Sequence, residues 1–81
     1  MAIDIEAYKK AKTLAKKATL TNDTIAQIAK YLEEYVNSLP PELQDVKIAT
    51  FSGRVYSRRD LPVLFVKDPE IQKIWLEKLR T

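Results

Sequence analysis

The chain has 81 residues, a formal net charge of +3, a single glycine, and neither cysteine nor histidine. This length predicts one domain, residues 1–81, because a separate hydrophobic core usually needs about 100 residues. Disulfides, thiolate chemistry and zinc sites built from cysteine and histidine are excluded. The apolar fraction of 46% is that of a folded chain, with no run near the ~18 apolar residues of a membrane span. Without a secretion signal in the first residues, we expect a cytoplasmic protein with no membrane partner.

Charge is divided into blocks along the chain. Residues 1–20 carry five lysines against two acidic residues, and residues 21–45 carry five acidic residues against one lysine. Residues 46–67 are basic again, with five lysines and arginines against Asp60. Such blocks neutralise one another within the fold, align two copies of the chain, or attract an acidic partner. The composition leaves all three interpretations open.

Two amphipathic helices are predicted in the first half of the chain. The first begins at Asp4, whose carboxylate can cap a helix N-terminus, and its buried stripe is mostly alanine. The second begins after Thr21 and repeats apolar residues every three or four positions as far as Leu39. The two prolines from Pro40 onward end it, because a residue before proline is driven out of the helical conformation. The short loop between these helices predicts an antiparallel helical hairpin.

The second half of the chain changes to the pattern typical of strands. We predict strands over Val46–Phe51 and Arg54–Ser57, separated by a two-residue turn in which Gly53 supplies a positive φ. The apolar run Leu61–Val66 has the length of a third, buried strand. Pro62 then lies at the start or edge of that strand, since it cannot donate to a ladder.

A last helix is predicted to start at Asp68, with Pro69 in its first position. Its apolar residues spread over more than half of its circumference, so it packs on two sides or offers one side to a partner. The predicted class is therefore α+β, in the order ααβββα. An antiparallel helical hairpin is followed by a small antiparallel β-sheet of two to three strands and a C-terminal helix.

Catalysis is the least supported class of function. Proton transfer near neutral pH most often uses histidine, and none is present. Phosphate-binding loops need several glycines, and Gly53 stands alone. Adjacent carboxylates such as Glu33 and Glu34 point about 100° apart on a helix and cannot share a site. We therefore expect no enzyme, no cofactor, no metal site and no small-molecule substrate.

The leading hypothesis is a small interaction module that binds a protein and associates with itself as a dimer. The last helix carries Trp75, a residue type enriched at binding hot spots. Ile71 and Leu79 lie on the same face, so these three residues form the predicted apolar anchor, with Tyr56 as a further partner contact. A small core also favours association, because burial and chain entropy nearly balance at this length. The competing interpretation places the only tryptophan in the core.

The alternative hypothesis is a DNA- or RNA-binding regulator. Arg54, Tyr56 and Arg58 alternate along a strand and project from one face, and Arg59 follows them. Arginine can contact phosphates and guanine, and tyrosine can stack on an unpaired base. A second candidate surface is one edge of the first helix, lined by Lys9, Lys12 and Lys16. The competing interpretation is that these lysines only keep a small protein soluble.

Two stretches resemble parts of DNA-binding domains. Residues 24–32 are similar to the first helix of a helix-turn-helix motif, but the two prolines leave only residues 42–45 for a recognition helix. Residues 53–61 resemble the wing of small excisionase-like or MerR-type domains, and Pro62 is expected to interrupt the helix that follows. These short stretches assign no family.

Overall fold

The computed structural model describes residues 3–51 and 53–81 of the chain. The helices are α1 (Ile5–Ala15), α2 (Asn22–Asn37), α3 (Pro41–Gln44), α4 (Leu61–Lys67) and α5 (Pro69–Arg80). The strands are β1 (Lys47–Phe51) and β2 (Arg54–Ser57), and a 3₁₀ turn covers Arg58–Asp60. The described part of the chain is thus mainly helical with a small antiparallel sheet and a C-terminal helix, which confirms the α+β class in outline.

The three long helices begin at the residues that the sequence predicts. The Asp4 carboxylate accepts the Ala7 amide at 3.0 Å, and the Thr21 hydroxyl accepts the Thr24 amide at 3.2 Å. Asp68 accepts two amides of the first turn of α5 at 3.0 and 3.3 Å, and Pro69 follows it in the first helical position. Each side chain satisfies amides that have no partner within the helix, which fixes where the helix starts.

Helices α1 and α2 form the predicted antiparallel pair. The Asp4 amide at the start of α1 donates to Ser38 Oγ at the end of α2, at 2.8 Å. One turn further along α1, the Tyr8 ring stacks on that of Tyr35. The small residues Ala7, Ala11 and Ala15 of α1 are buried, which lets the two helices approach closely.

The strands β1 and β2 pair antiparallel, with Thr50 opposite Val55 and Phe51 opposite Arg54. The register shifts once, between Lys47 and Ala49. Gly53 has a φ of +79°, as the predicted turn requires. The other turn residue, Ser52, lies outside the described residues.

The predicted third strand is wrong, because Leu61–Lys67 folds as helix α4. Pro62 lies in the first turn of this helix, where its missing N–H costs no hydrogen bond, so the expectation that it would interrupt a helix is wrong as well. Just before the helix, the Asp60 carboxylate accepts the Ser57 amide at 3.0 Å. Leu61 and Phe65, four residues apart, are buried, while Val63 is exposed, which is helical and not strand periodicity.

The core lies where α2, α4 and α5 meet the alanine stripe of α1. Its buried members are Ala11, Ala15, Ile28, Ala29, Leu32, Leu61, Phe65, Ile71 and Leu79. A hydrogen bond of 2.7 Å from Arg80 Nε to the Ala15 carbonyl joins the last turn of α5 to the end of α1. Helix α5 packs against both α1 and α4, which buries part of its broad apolar circumference and leaves Ile74 exposed.

Candidate functional site

The predicted apolar anchor on α5 is divided by the fold. Ile71 and Leu79 are 2% and 0% exposed and belong to the core of the chain itself, so neither is accessible to a partner in this structure. Trp75 is only partly buried, and Lys78 Nζ lies 4.8 Å from its ring centroid. Of the three residues, Trp75 alone remains at the surface.

Two arginines near the hairpin, Arg58 and Arg59, are held by contacts within the chain. Arg58 lies in the 3₁₀ turn and not on β2, and its Nη1 donates to the Leu43 carbonyl at 3.1 Å. Arg59 Nη2 lies 2.6 Å from a carboxylate oxygen of Asp45. These contacts join the turn to the segment around α3. Arg54 is exposed on β2, and Tyr56 on the same strand is half-buried.

The lysines of α1 remain at the surface. Lys9 and Lys16 are exposed, and Lys12 is half-buried. Among the described residues, the ion pairs are Lys9 with Glu6, at 3.8 Å, and the Arg59 pair above. Among these residues no ion pair joins a lysine of α1 to a carboxylate of α2, and Lys10 Nζ instead lies 5.6 Å from the ring centroid of Tyr31 on α2.

An aromatic pocket of about 190 Å³ opens where α1, α2, α5 and the 3₁₀ turn meet. We define it by its lining residues, Tyr8, Leu32, Tyr35, Arg58, Leu61 and Trp75. Burial, with a smaller contribution from the neighbouring Tyr35, raises the pKa of the Tyr8 hydroxyl. Tyr8 is therefore neutral at physiological pH. The pocket combines three aromatic rings with a guanidinium group that a backbone carbonyl holds in place.

A second concavity, the α2–α4 groove, has a volume of about 330 Å³. Helix α4 contributes Pro62, Val63, Val66 and Lys67 to its lining, and α2 contributes Ala26, Ala29, Lys30 and Glu33. Val63 and Val66 are 56% and 51% exposed. The groove is apolar along its floor and charged at its rim.

Two kinds of site find no support in the described ranges. Within residues 3–51 and 53–81, no three histidine, cysteine or carboxylate side chains come together as a group able to hold a metal ion. In the same ranges, no helix has both the length and the apolar character needed to cross a membrane.

Sequence reasoning missed the aromatic pocket and the α2–α4 groove, for different reasons. The pairing of Tyr8 with Tyr35 had a usable signal, since both lie on the buried stripes of helices that were predicted to pack antiparallel. The groove had none, because its valines belong to the segment that was predicted as a strand.

No protein-family model, no curated protein and no solved structure matches this chain.

Proposed function

We propose that this protein is a non-enzymatic interaction module that binds a second copy of itself through the α2–α4 groove. The observation that carries this proposal is the exposure of two valines, Val63 and Val66, on one wall of the groove. A contiguous apolar surface of this kind, with a charged rim, is typical of sites of protein contact.

The two walls of the groove are complementary in size. Val63 and Val66 project from α4, and the facing wall on α2 offers the small side chains Ala26 and Ala29. A twofold axis along the groove places α4 of each copy against α2 of the other. The valines of each copy then pack against the exposed Ala26 of its partner, while Ala29 stays in the core, and both copies bury the same surface.

The charges around the groove are complementary as well. The exposed residues of α2 include Asp23, Glu33 and Glu34 against the single cation Lys30, whereas α4 contributes Lys67. The same crossing of α4 over the partner's α2 brings Lys67 towards an acidic helix. Charge complementarity of this kind selects one orientation of the two copies more than it adds affinity.

A stable dimer interface would cover only a fraction of the chain's surface. A stable interface takes roughly 800 Å² from each partner, which is about one seventh of the 5496 Å² surface of this chain. The small core of an 81-residue chain gains stability from such additional burial.

The direct test is sedimentation equilibrium from low-micromolar to near-millimolar concentration. We expect the native chain to pass from monomer to dimer, and Val63→Asp and Val66→Asp to weaken association about tenfold or more, because each buries a carboxylate in the apolar interface. A matched control is Val55→Asp on β2, where the valine is 52% exposed but lies outside the groove. This control should dimerise like the native chain.

Two results would contradict the proposal. One is a native chain that stays monomeric at the highest concentration. The other is a Val55→Asp control that weakens association as much as the groove variants do.

A further inference from the structure

The geometry points to the aromatic pocket as a binding site for one unstacked base of a single-stranded nucleic acid. This site is separate from the α2–α4 groove and does not require self-association. The site is formed by Tyr8, Tyr35, Trp75 and Arg58. Of these, the sequence predicted a binding role only for Trp75 and Arg58.

The size of the pocket restricts its ligand to one flat group. Its volume of about 190 Å³ is below the ~300 Å³ at which pockets for drug-sized molecules begin. The floor is apolar, since Leu32 and Leu61 are both buried. Two stacked tyrosines and the indole of Trp75 surround it. A planar ring gains most from such walls, because it can stack on one aromatic side chain and meet the edge of another.

The charges of the pocket favour a ligand that carries an anion beside its ring. Arg58 supplies a guanidinium whose Nη1 is fixed on the Leu43 carbonyl, which leaves its other N–H groups available. The lining contains no carboxylate. The aromatic side chains add hydroxyl and indole N–H groups, which pair with the acceptor atoms of a base or a phosphate.

Cations extend away from the pocket along two helices. Lys12 lies one turn after Tyr8 on the same face of α1, and Lys78 lies over the Trp75 ring. Lys16, the residue just after the end of α1, follows Lys12 after another four positions and is exposed. Proteins that bind single strands combine a basic track for the backbone with aromatic platforms for the bases. An aromatic peptide side chain also fits the pocket, but it does not use the lysine row.

Trp75 makes the test direct, because it is the only tryptophan in the chain and it lines the pocket. The probe is a short single-stranded oligothymidylate, titrated while the fluorescence of Trp75 is recorded. We expect saturable quenching that weakens steeply as salt is raised. A duplex of the same length should bind clearly more weakly, since its bases are not available for stacking.

Variants separate the pocket from general charge attraction. Tyr35→Leu should lower affinity about tenfold, because a stacking platform is lost. Lys12→Gln should lower it several-fold, whereas Lys17→Gln, with the same loss of charge beyond the end of α1 and further from Tyr8 along the chain, should leave it nearly unchanged. If Tyr35→Leu does not fold, as judged by circular dichroism, the two lysine variants still distinguish binding at the pocket from general charge attraction.

Three outcomes would overturn the inference. The first is the absence of quenching by the oligothymidylate. The second is equal loss of affinity in Lys12→Gln and Lys17→Gln. The third is saturable quenching by an acidic aromatic peptide but not by the single strand, which would assign the pocket to a protein partner.

Discussion

Tyr8 of α1 and Tyr35 of α2 stack with their ring centroids 4.9 Å apart and their planes inclined by 19°. This contact fixes the level at which the two antiparallel helices meet. It also builds a wall of the aromatic pocket, so one pair of side chains serves both the fold and the proposed binding site.

The stacked pair predicts a loss of stability in alkaline solution. Burial, and then Tyr35, raises the pKa of Tyr8 above its ordinary value of 10.0. Neutral Tyr8 therefore stabilises the fold; this contribution is complete below the ordinary pKa and is lost as pH rises through the raised one. In urea unfolding above about pH 10, the native chain should lose more stability than Tyr8→Phe, which has no hydroxyl to ionise. Identical pH dependence of the two proteins would contradict this expectation, and lysine titration cancels in the comparison.

The helical conformation of α4 predicts that substitutions of Phe65 and Val63 affect stability very differently. A strand would place both residues on the same face. Phe65 is 0% exposed, whereas Val63 lies at the surface. Phe65→Ala should cost about 3–5 kcal/mol of unfolding free energy through the cavity it leaves. Val63→Ala should change it by less than about 0.5 kcal/mol. Urea unfolding followed by circular dichroism, at a dilution where the chain is monomeric, measures both. Comparable losses for the two variants would contradict the helical assignment.

Substitution of Gly53 is expected to lower the stability of the fold only through the backbone conformation. Its φ is +79°, and a Cβ added there would meet nothing within 4 Å. Gly53→Ala should therefore destabilise the chain by about 1 kcal/mol through backbone strain alone. Gly53→Asn should cost less, because asparagine tolerates the left-handed region better. Thermal unfolding of the three proteins measures the difference, and an alanine variant as stable as the native chain would contradict it.

The sequence predicted those parts of the fold that local chemistry determines. Asp4, Thr21 and Asp68 are capping residues whose role depends only on the next few amides. The repeat of apolar residues in α2 and the alternating pattern of the two strands also depend only on residues close together in the sequence. These elements were predicted with nearly correct boundaries.

The α4 segment could not be assigned in the same way. An uninterrupted apolar run such as Leu61–Val66 has neither the helical nor the strand period, and Pro62 is compatible with the start of either element. What decides the outcome is packing, since a helix buries Leu61 and Phe65 together against α2 and α5. Which residues pack against this segment depends on the whole chain, so the local sequence does not determine its conformation.

The candidate site was even less accessible to sequence reasoning. Arg58 lines the aromatic pocket, and its side chain donates a hydrogen bond to the carbonyl of Leu43, fifteen residues earlier in the chain. Ile71 and Leu79 share a helix face with Trp75, yet they are buried and Trp75 is not fully so. A helical wheel gives the direction of a side chain but not the depth of the element that covers it.

The hydrogen bond from Arg80 to the Ala15 carbonyl joins residues 65 positions apart. During synthesis on the ribosome, the Ala15 carbonyl can accept this hydrogen bond only after Arg80 has been made. Loop closure over such a distance carries an entropic cost, and contacts of this kind slow folding. This contact of α1 therefore forms only after α5 has been synthesised and packed.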